Sequence, residues 1–241
     1  MGSEYRPTAS WYDVLYESKD YAAESSLLLD LLRERGVTCG SLLDVACGTG
    51  RHLEHLGQHF SSAAGLDICP ELLEFARRRN PGLTFYQADM TDFALGSSFD
   101  VITCLFSAIG HMVSLDMYAD ALRCFHKRLE PSGWLLIEPW IEPDSWRAGT
   151  VHMQTVDRPE LKIARVSNSG PPVSRGGALL SVFDLHHLIA TPQETRHIVE
   201  HFEMALYTRQ EQLDLFEREG FESEWIEPGL TGRGLLLGKK Q

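Results

Sequence analysis

The chain is poor in basic residues: 22 Lys and Arg stand against 34 Asp and Glu, for a formal net charge of −12. Nucleic acids and anionic membranes select cationic surfaces, so this balance argues against both as partners. No apolar stretch approaches the length of a membrane span. The opening residues, Met1-Gly2-Ser3-Glu4-Tyr5, lack the basic and apolar regions of a secretory signal. Position 6 lacks the Ser or Thr of a myristoylation signal. Five cysteines fall at no metal-like pair spacing. Cys47, Cys69 and Cys104 sit in or beside apolar strands and read as reduced thiols of a cytoplasmic protein. His52-x-x-His55 has helical spacing but no third ligand nearby, and His186 and His187 project to opposite faces of a strand. No metal site is expected. Repeats, low-complexity tracts and long linkers are also missing.

What is present is a 43% hydrophobic chain of 241 residues, enough for one α/β domain with an elaboration. Its most informative stretch is Asp44-Val45-Ala46-Cys47-Gly48-Thr49-Gly50. A short apolar strand precedes it and an amphipathic run follows, as in the first half of a nucleotide-type binding unit. Gly48 and Gly50 suit a turn in which backbone approaches a ligand. The third glycine of the dinucleotide fingerprint is replaced by Leu53, and Asp44 would repel a pyrophosphate. A carboxylate there suits a cationic ligand. S-adenosylmethionine carries an ammonium and a sulfonium and no phosphate. Asp67, at the end of a second strand, lies 19 residues after Gly48, the spacing of an acid that accepts from ribose hydroxyls. Asp89 ends a third strand and suits the exocyclic amine of adenine, with Met90 packed on the ring. One such acid is as easily a helix cap. Three at successive strand ends point to a site.

Segments 41–46, 63–67, 83–90, 99–106 and 134–139 read as strands, and 18–36, 51–60, 70–79 and 115–129 as helices. The predicted fold is therefore α/β, a Rossmann-like, doubly wound, mainly parallel sheet with the acids along one edge. After Trp140 the alternation breaks. Segments 151–156, 161–167, 179–190 and 196–206 read as an antiparallel β addition between strand five and the last helix, which starts at Thr208. Residues 1–241 form one domain in this reading, with 141–207 covering the acceptor site.

The chain resembles class I S-adenosylmethionine-dependent methyltransferases, and within them the dTDP-amino-sugar N,N-dimethyltransferases of macrolide biosynthesis. The resemblance rests on Lys19-Asp20-Tyr21, the stretch 41–50, His52-Leu53, Asp89-Met90-x-Asp92-Phe93, Phe106-Ser107-x-Ile109-Gly110-His111, Glu138-Pro139-Trp140, Arg165-Val166-Ser167 and Gly232-Arg233-Gly234-Leu235. It implies S-adenosyl-L-methionine as cofactor, with Tyr12 and Tyr21 closing over the methionine moiety beside Asp44, Ala46, Gly48 and Gly50, and with Asp67, Asp89 and Met90 holding the nucleoside. It implies His111 beside the acceptor amine and Tyr5 as an N-terminal active-site tyrosine. Arg165, Ser167 and Arg233 fall near a nucleotide diphosphate, and the resemblance suggests a homodimer. Asp67 stands where the family usually has Glu, and Ile141 where a second Trp is frequent. Asn replaces a usual His in 165–169, and 184–200 matches poorly.

The expected activity is N-methylation of a nucleotide-linked amino sugar by in-line transfer to a neutral amine. The alternatives are an N- or O-methyltransferase of a non-sugar metabolite or amino acid, and a non-catalytic cofactor-binding protein. Trp140 and Trp146 either line an acceptor pocket or cover the sheet end. Arg77-Arg78-Arg79 reads as cations at a helix C-terminus.

Overall fold

The structure, a computed structural model, describes residues 6–38 and 40–241. A 3-10 turn, Arg6–Trp11, leads into α1 (Tyr12–Leu15) and α2 (Tyr21–Glu34). There follow β1 (Ser41–Val45), α3 (Arg51–Leu56), β2 (Ser62–Asp67), α4 (Pro70–Arg79), β3 (Thr84–Gln87), β4 (Phe99–Cys104), α5 (Leu115–Arg128) and β5 (Leu129–Ile137). Five more strands come next: β6 (Val151–Arg158), β7 (Leu161–Asn168), β8 (Val173–Arg175), β9 (Ala178–Ala190) and β10 (Thr195–Ala205). The chain closes with α6 (Arg209–Arg218), β11 (Phe221–Ile226) and β12 (Leu235–Lys240).

The first sheet has seven strands in the order β11-β12-β5-β4-β1-β2-β3. The pairs from β5 through β3 are parallel, and β12 runs antiparallel to both β5 and β11. Strand alternation divides the apolar residues between two faces. Leu42, Val101 and Leu136 pack with α2, α3 and α4, whereas Leu43, Ile102 and Leu135 pack with α5 and α6. Strands β1, β4 and β5 are thus covered on both sides, which is why the sequence shows near-continuous apolar runs there. Strand β1 continues to β2 on one side, and the chain crosses back from β3 to place β4 on the other side of β1. A crevice therefore opens at the carboxyl ends of these strands.

Local signals set the helix starts. Asp20 accepts from the Ala23 N–H, Ser114 caps α5, and Thr208 with Glu211 forms a capping box on α6. Some boundaries differ from the sequence pattern. The helix expected over 51–60 stays α-helical to Leu56 and tightens to a 3-10 turn over Gly57–His59. Strand β3 stops at Gln87, so Asp89 lies beyond it in a turn of its own. Strand β5 starts earlier, at Leu129, and bulges against β4 between Phe99 and Val101, with Ser132 in the left-handed region.

Strands β6–β10 form a second, antiparallel sheet in the order β10-β9-β7-β6, with β8 on β9. Its inner face carries Ile163, Ile189, Phe202 and the buried pair His187 and Glu200. Met153, Val166, His186 and Val199 form one cross-strand row on the outer face. No described helix is long and apolar enough to cross a membrane.

Candidate active site

The loop after β1 is wound through positive φ at Ala46, Gly48 and Gly50. At Gly50 a Cβ would lie 2.7 Å from Asn80 Nδ2 and 3.2 Å from the Ala76 Cβ. Only glycine permits that contact between loop and α4. Gly48 has open space where its side chain would be, and it lines the cavity described next. The non-glycine Ala46 holds φ 56°, a local strain of roughly 1–2 kcal/mol.

A cavity of about 320 Å³ opens against this loop. Tyr12, Ala46, Gly48, Asp67, Asp89, Met90 and His111 all line it. A smaller adjoining cleft shares Tyr12, Ala46 and Gly48 and adds Tyr21, Asp44, Arg51 and His52. Gly50 lines neither, because it packs on α4.

The acids differ in how they are held. Asp67 is 6% exposed. Its two oxygens accept the backbone N–H groups of Gly48 and Cys69, both at 2.8 Å. Burial raises its carboxyl above the usual range, and those N–H groups oppose the rise. Asp44 is 2% exposed and accepts a 2.8 Å bond from Thr103 Oγ1. Burial pushes its carboxyl up to about 6, against the nearby His52 and the Thr103 bond. Asp89 is exposed, and its Oδ1 accepts from both the N–H and the hydroxyl of Thr91.

The donor set fits S-adenosylmethionine. Asp44 offers a negative charge to an ammonium or sulfonium. Arg51 Nε is buried with no hydrogen-bond partner among the described residues, in the same cleft, and suits the amino-acid carboxylate. Asp67 fixes a carboxylate where the glycine loop meets β2. Tyr21 stands edge-on to His52 and beneath the Arg51 guanidinium.

His111 ends a 3-10 turn, Ala108–His111, with its ring 6.1 Å from Phe202 on β10. Phe202 stacks on Phe183 at 5.4 Å, and Phe183 faces both Trp140 and Trp146. Trp140 donates from Nε1 to Ser181 Oγ at 3.0 Å. The Arg233 guanidinium lies 4.6 Å over the Trp140 ring and donates to Ser107 Oγ at 2.8 Å. Burial lowers the Arg233 pKa, opposed by the charge of Glu138 and by Tyr16. Arg165 donates to the Tyr16 hydroxyl at 2.9 Å and lies over its ring. Tyr16 in turn stands edge-on to Phe106. Among the described residues neither arginine forms an ion pair with a carboxylate. Ser167 follows Arg165 on the same face of β7.

Several of these residues had no structural role assigned from the sequence. Tyr16 is four residues after Tyr12, and only its edge-on contact with Phe106 reveals its place. Phe106 and Ser107 adopt positive φ without a glycine. Buried Glu138 holds that turn by accepting from the Phe106 N–H at 2.7 Å and the Thr231 hydroxyl at 2.6 Å. Arg51 is recognisable only by its orphaned nitrogen. Tyr5 lies outside the described residues. At the cleft His52 bonds Glu24, and in the second sheet His187 bonds Glu200 on the opposite face from His186.

A doubly wound sheet with one reversed strand, a glycine loop and strand-end carboxylates around a cation-compatible cleft defines a Rossmann-like S-adenosylmethionine-dependent methyltransferase. A family described as "Methyltransferase domain" matches residues 42–133. A Streptomyces venezuelae dTDP-3-amino-3,4,6-trideoxy-alpha-D-glucopyranose N,N-dimethyltransferase is 38% identical over 95% of this chain and 96% of its own length. A Saccharopolyspora spinosa dTDP-4-amino-2,3,4,6-tetradeoxy-D-glucose N,N-dimethyltransferase is 35% identical over 98% and 94%. The S-adenosylmethionine-bound CalS10, an amino pentose methyltransferase from Micromonospora echinaspora, superposes with a TM-score of 0.84 at 31% identity, covering 95% of this chain and 96% of that one. The chain belongs to the dTDP-amino-sugar N,N-dimethyltransferase family of S-adenosylmethionine-dependent enzymes.

Proposed function

We propose that this enzyme methylates the amine of a dTDP-linked amino sugar. The observation that carries the reading is the pair Arg165 and Arg233. Both are held by neutral hydroxyls, from Tyr16 and Ser107, and neither is neutralised by a described carboxylate. A guanidinium kept in place without a direct ion-pair partner suits a diphosphate. Both connect through Tyr16, Phe106 and Ser107 to the wall of the donor cavity.

Bound S-adenosylmethionine supplies a methyl already activated on a cationic sulfur. The protein's own work is alignment, which contributes on the order of 7–11 kcal/mol when geometry approaches near-attack. In this reading Asp44 and Arg51 hold the amino-acid end, with Tyr12 and Tyr21 over it. Asp67 accepts from the ribose hydroxyls, and Asp89 and Met90 hold the adenine. Trp140, Ser167 and the two arginines orient the nucleotide. His111 orients the acceptor nitrogen, and its imidazole takes the proton that nitrogen sheds.

The chain works as one unit, with residues 141–207 covering the acceptor site, in the cytoplasm and as a homodimer. The dimer reading is supported by the outer face of the second sheet, where Met153 is 69% and Leu188 51% exposed. Light scattering should return a mass near twice 27.1 kDa; a monomer at micromolar concentration rejects that part.

The central test is mass spectrometry of products from dTDP-3-amino and dTDP-4-amino sugars, the matching free amino sugars, amino acids and small amines. Methylation of a nucleotide-linked sugar, with the free sugar at least tenfold less efficient, is expected. Equal use of free and linked sugars removes the diphosphate role, and transfer only to a non-sugar amine overturns the reading.

A further inference from the structure

The three arginines that close α4 do three different things. Arg77 donates to the Phe85 carbonyl and Arg78 lies over Phe75, both partners close by in sequence. Arg79 instead crosses to the N-terminal segment, donating from Nη2 to Asp13 Oδ2 at 2.6 Å. The other Asp13 oxygen accepts from Thr49 Oγ1, also at 2.6 Å. Arg79 further donates to the Thr49 carbonyl, and its Nε lies 3.2 Å from Glu54. Asp13, Thr49 and Arg79 thus form a closed triangle. The Asp13 and Arg79 side chains are 27% and 18% exposed, and Thr49 is 2% exposed. A mutually bonded, largely covered cluster differs from an isolated surface pair, which typically adds little.

Its position gives it meaning. Thr49 is the residue between Gly48 and Gly50, so the triangle fastens the N-terminal segment to the loop that lines the donor cavity. Asp13 directly follows Tyr12, which lines both that cavity and the adjoining cleft. Beyond Asp13 the segment is tied to the second sheet. Gln154 donates to the Leu15 carbonyl, Arg165 to Tyr16, and Arg158 pairs with Glu17. Residues 12–17 therefore bridge the donor half and the acceptor half, and on the donor side the triangle is their ionic anchor.

We propose that Asp13 and Arg79 are positioning residues whose contact, made on Thr49, holds Tyr12 over the cofactor and so sets cofactor affinity. This rests on the assignment of Tyr12 to the cofactor site. Opening the contact frees residues 12–17 from the glycine loop, and the cofactor then dissociates faster. The chemistry at the methyl is untouched, so the effect falls on affinity and not on turnover at saturation.

The test is a double-mutant cycle on the full chain, with the S-adenosylmethionine Kd read by calorimetry. Asp13→Asn and Arg79→Met should each weaken binding by roughly tenfold, and the double variant should be no weaker than about the worse single, as for directly coupled side chains. At saturating cofactor kcat should stay within about twofold. Arg78→Met removes the same charge one residue away and should leave Kd within twofold. If Arg79→Met does not fold, Arg79→Lys, which keeps the charge and loses the forked donor, replaces it in the cycle. Singles within twofold of wild type, multiplicative effects, or a loss in kcat without a change in Kd each overturn the proposal. Tyr12→Ala separates the two readings. Weaker binding in Tyr12→Ala beside unchanged binding in Asp13→Asn rejects the triangle alone. Unchanged binding in Tyr12→Ala rejects the assignment of Tyr12 and the proposal with it.

Discussion

Asp44 should make cofactor binding depend on pH, in a direction that burial dictates. It sits at the carboxyl end of β1, shielded from water, with one hydrogen bond from Thr103. Desolvation moves its carboxyl from 3.8 to about 6. A group at that value is about ten-elevenths ionised at pH 7 and about one-eleventh at pH 5. If the cationic donor binds the carboxylate form, affinity should fall about tenfold between these values, or about 1.4 kcal/mol. The ligand's amino group stays charged over this range, since ordinary α-amino groups titrate near 8. Stability of the free protein should move the other way. For an acid whose folded value is raised, the neutral form favours folding. Stability is therefore highest below about 4, falls as pH rises through about 6, and is about 3 kcal/mol lower once Asp44 is charged. Asp44→Asn removes that penalty and keeps an oxygen for Thr103. It should melt higher than wild type at pH 8 while binding cofactor weakly, a trade of stability for function. Calorimetric titrations at pH 5, 6, 7 and 8, paired with thermal melts, read both effects. Asp67 is also raised by burial, so Asp44→Asn retains part of the slope. A wild-type affinity flat within twofold from pH 5 to 7, or an Asn variant with the full slope, refutes the argument.

Three further outcomes follow from the same geometry. Asp67→Ala should weaken S-adenosylmethionine by roughly 1.5–3 kcal/mol, the scale of hydrogen bonds to a charged group, and calorimetry showing no change removes the ribose assignment. His111→Ala should lower kcat by ~10²-fold if its imidazole takes the acceptor proton, whereas a loss below threefold leaves only positioning. Arg165→Met and Arg233→Met should raise KM for the nucleotide-linked substrate by roughly tenfold or more, with KM for cofactor within twofold. The opposite split would move both arginines to the donor site.

The donor half was legible in the sequence because its signals are short-range. Continuous apolar runs mark strands buried on two faces, Gly48 marks the turn, and Asp44 and Asp67 stand at strand ends within a few residues of it. Handed crossovers then leave one arrangement of those ends. Less was legible where backbone geometry lacked its usual residue. Phe106 and Ser107 hold positive φ because Glu138 and Arg233 grip them, and neither residue type announces that conformation. Asp89 read as a strand end and is a turn, since its own side chain bonds Thr91. Arg79 read as a helix-end cation, and its partner was invisible along the chain.

The sequence by itself determined the order of strands and helices, the carboxylates at or near the strand ends, and the antiparallel character of 151–206. Tertiary structure alone decided which side chains meet across the two sheets. Arg79 reaches Asp13 over 66 positions, Ser107 meets Arg233 over 126, and Tyr16 meets Arg165 over 149. Hydrophobic periodicity is a property of neighbouring residues and survives in the linear pattern. These contacts depend on register, crossover and packing, so they exist only after the sheets have formed and closed on the N-terminal segment.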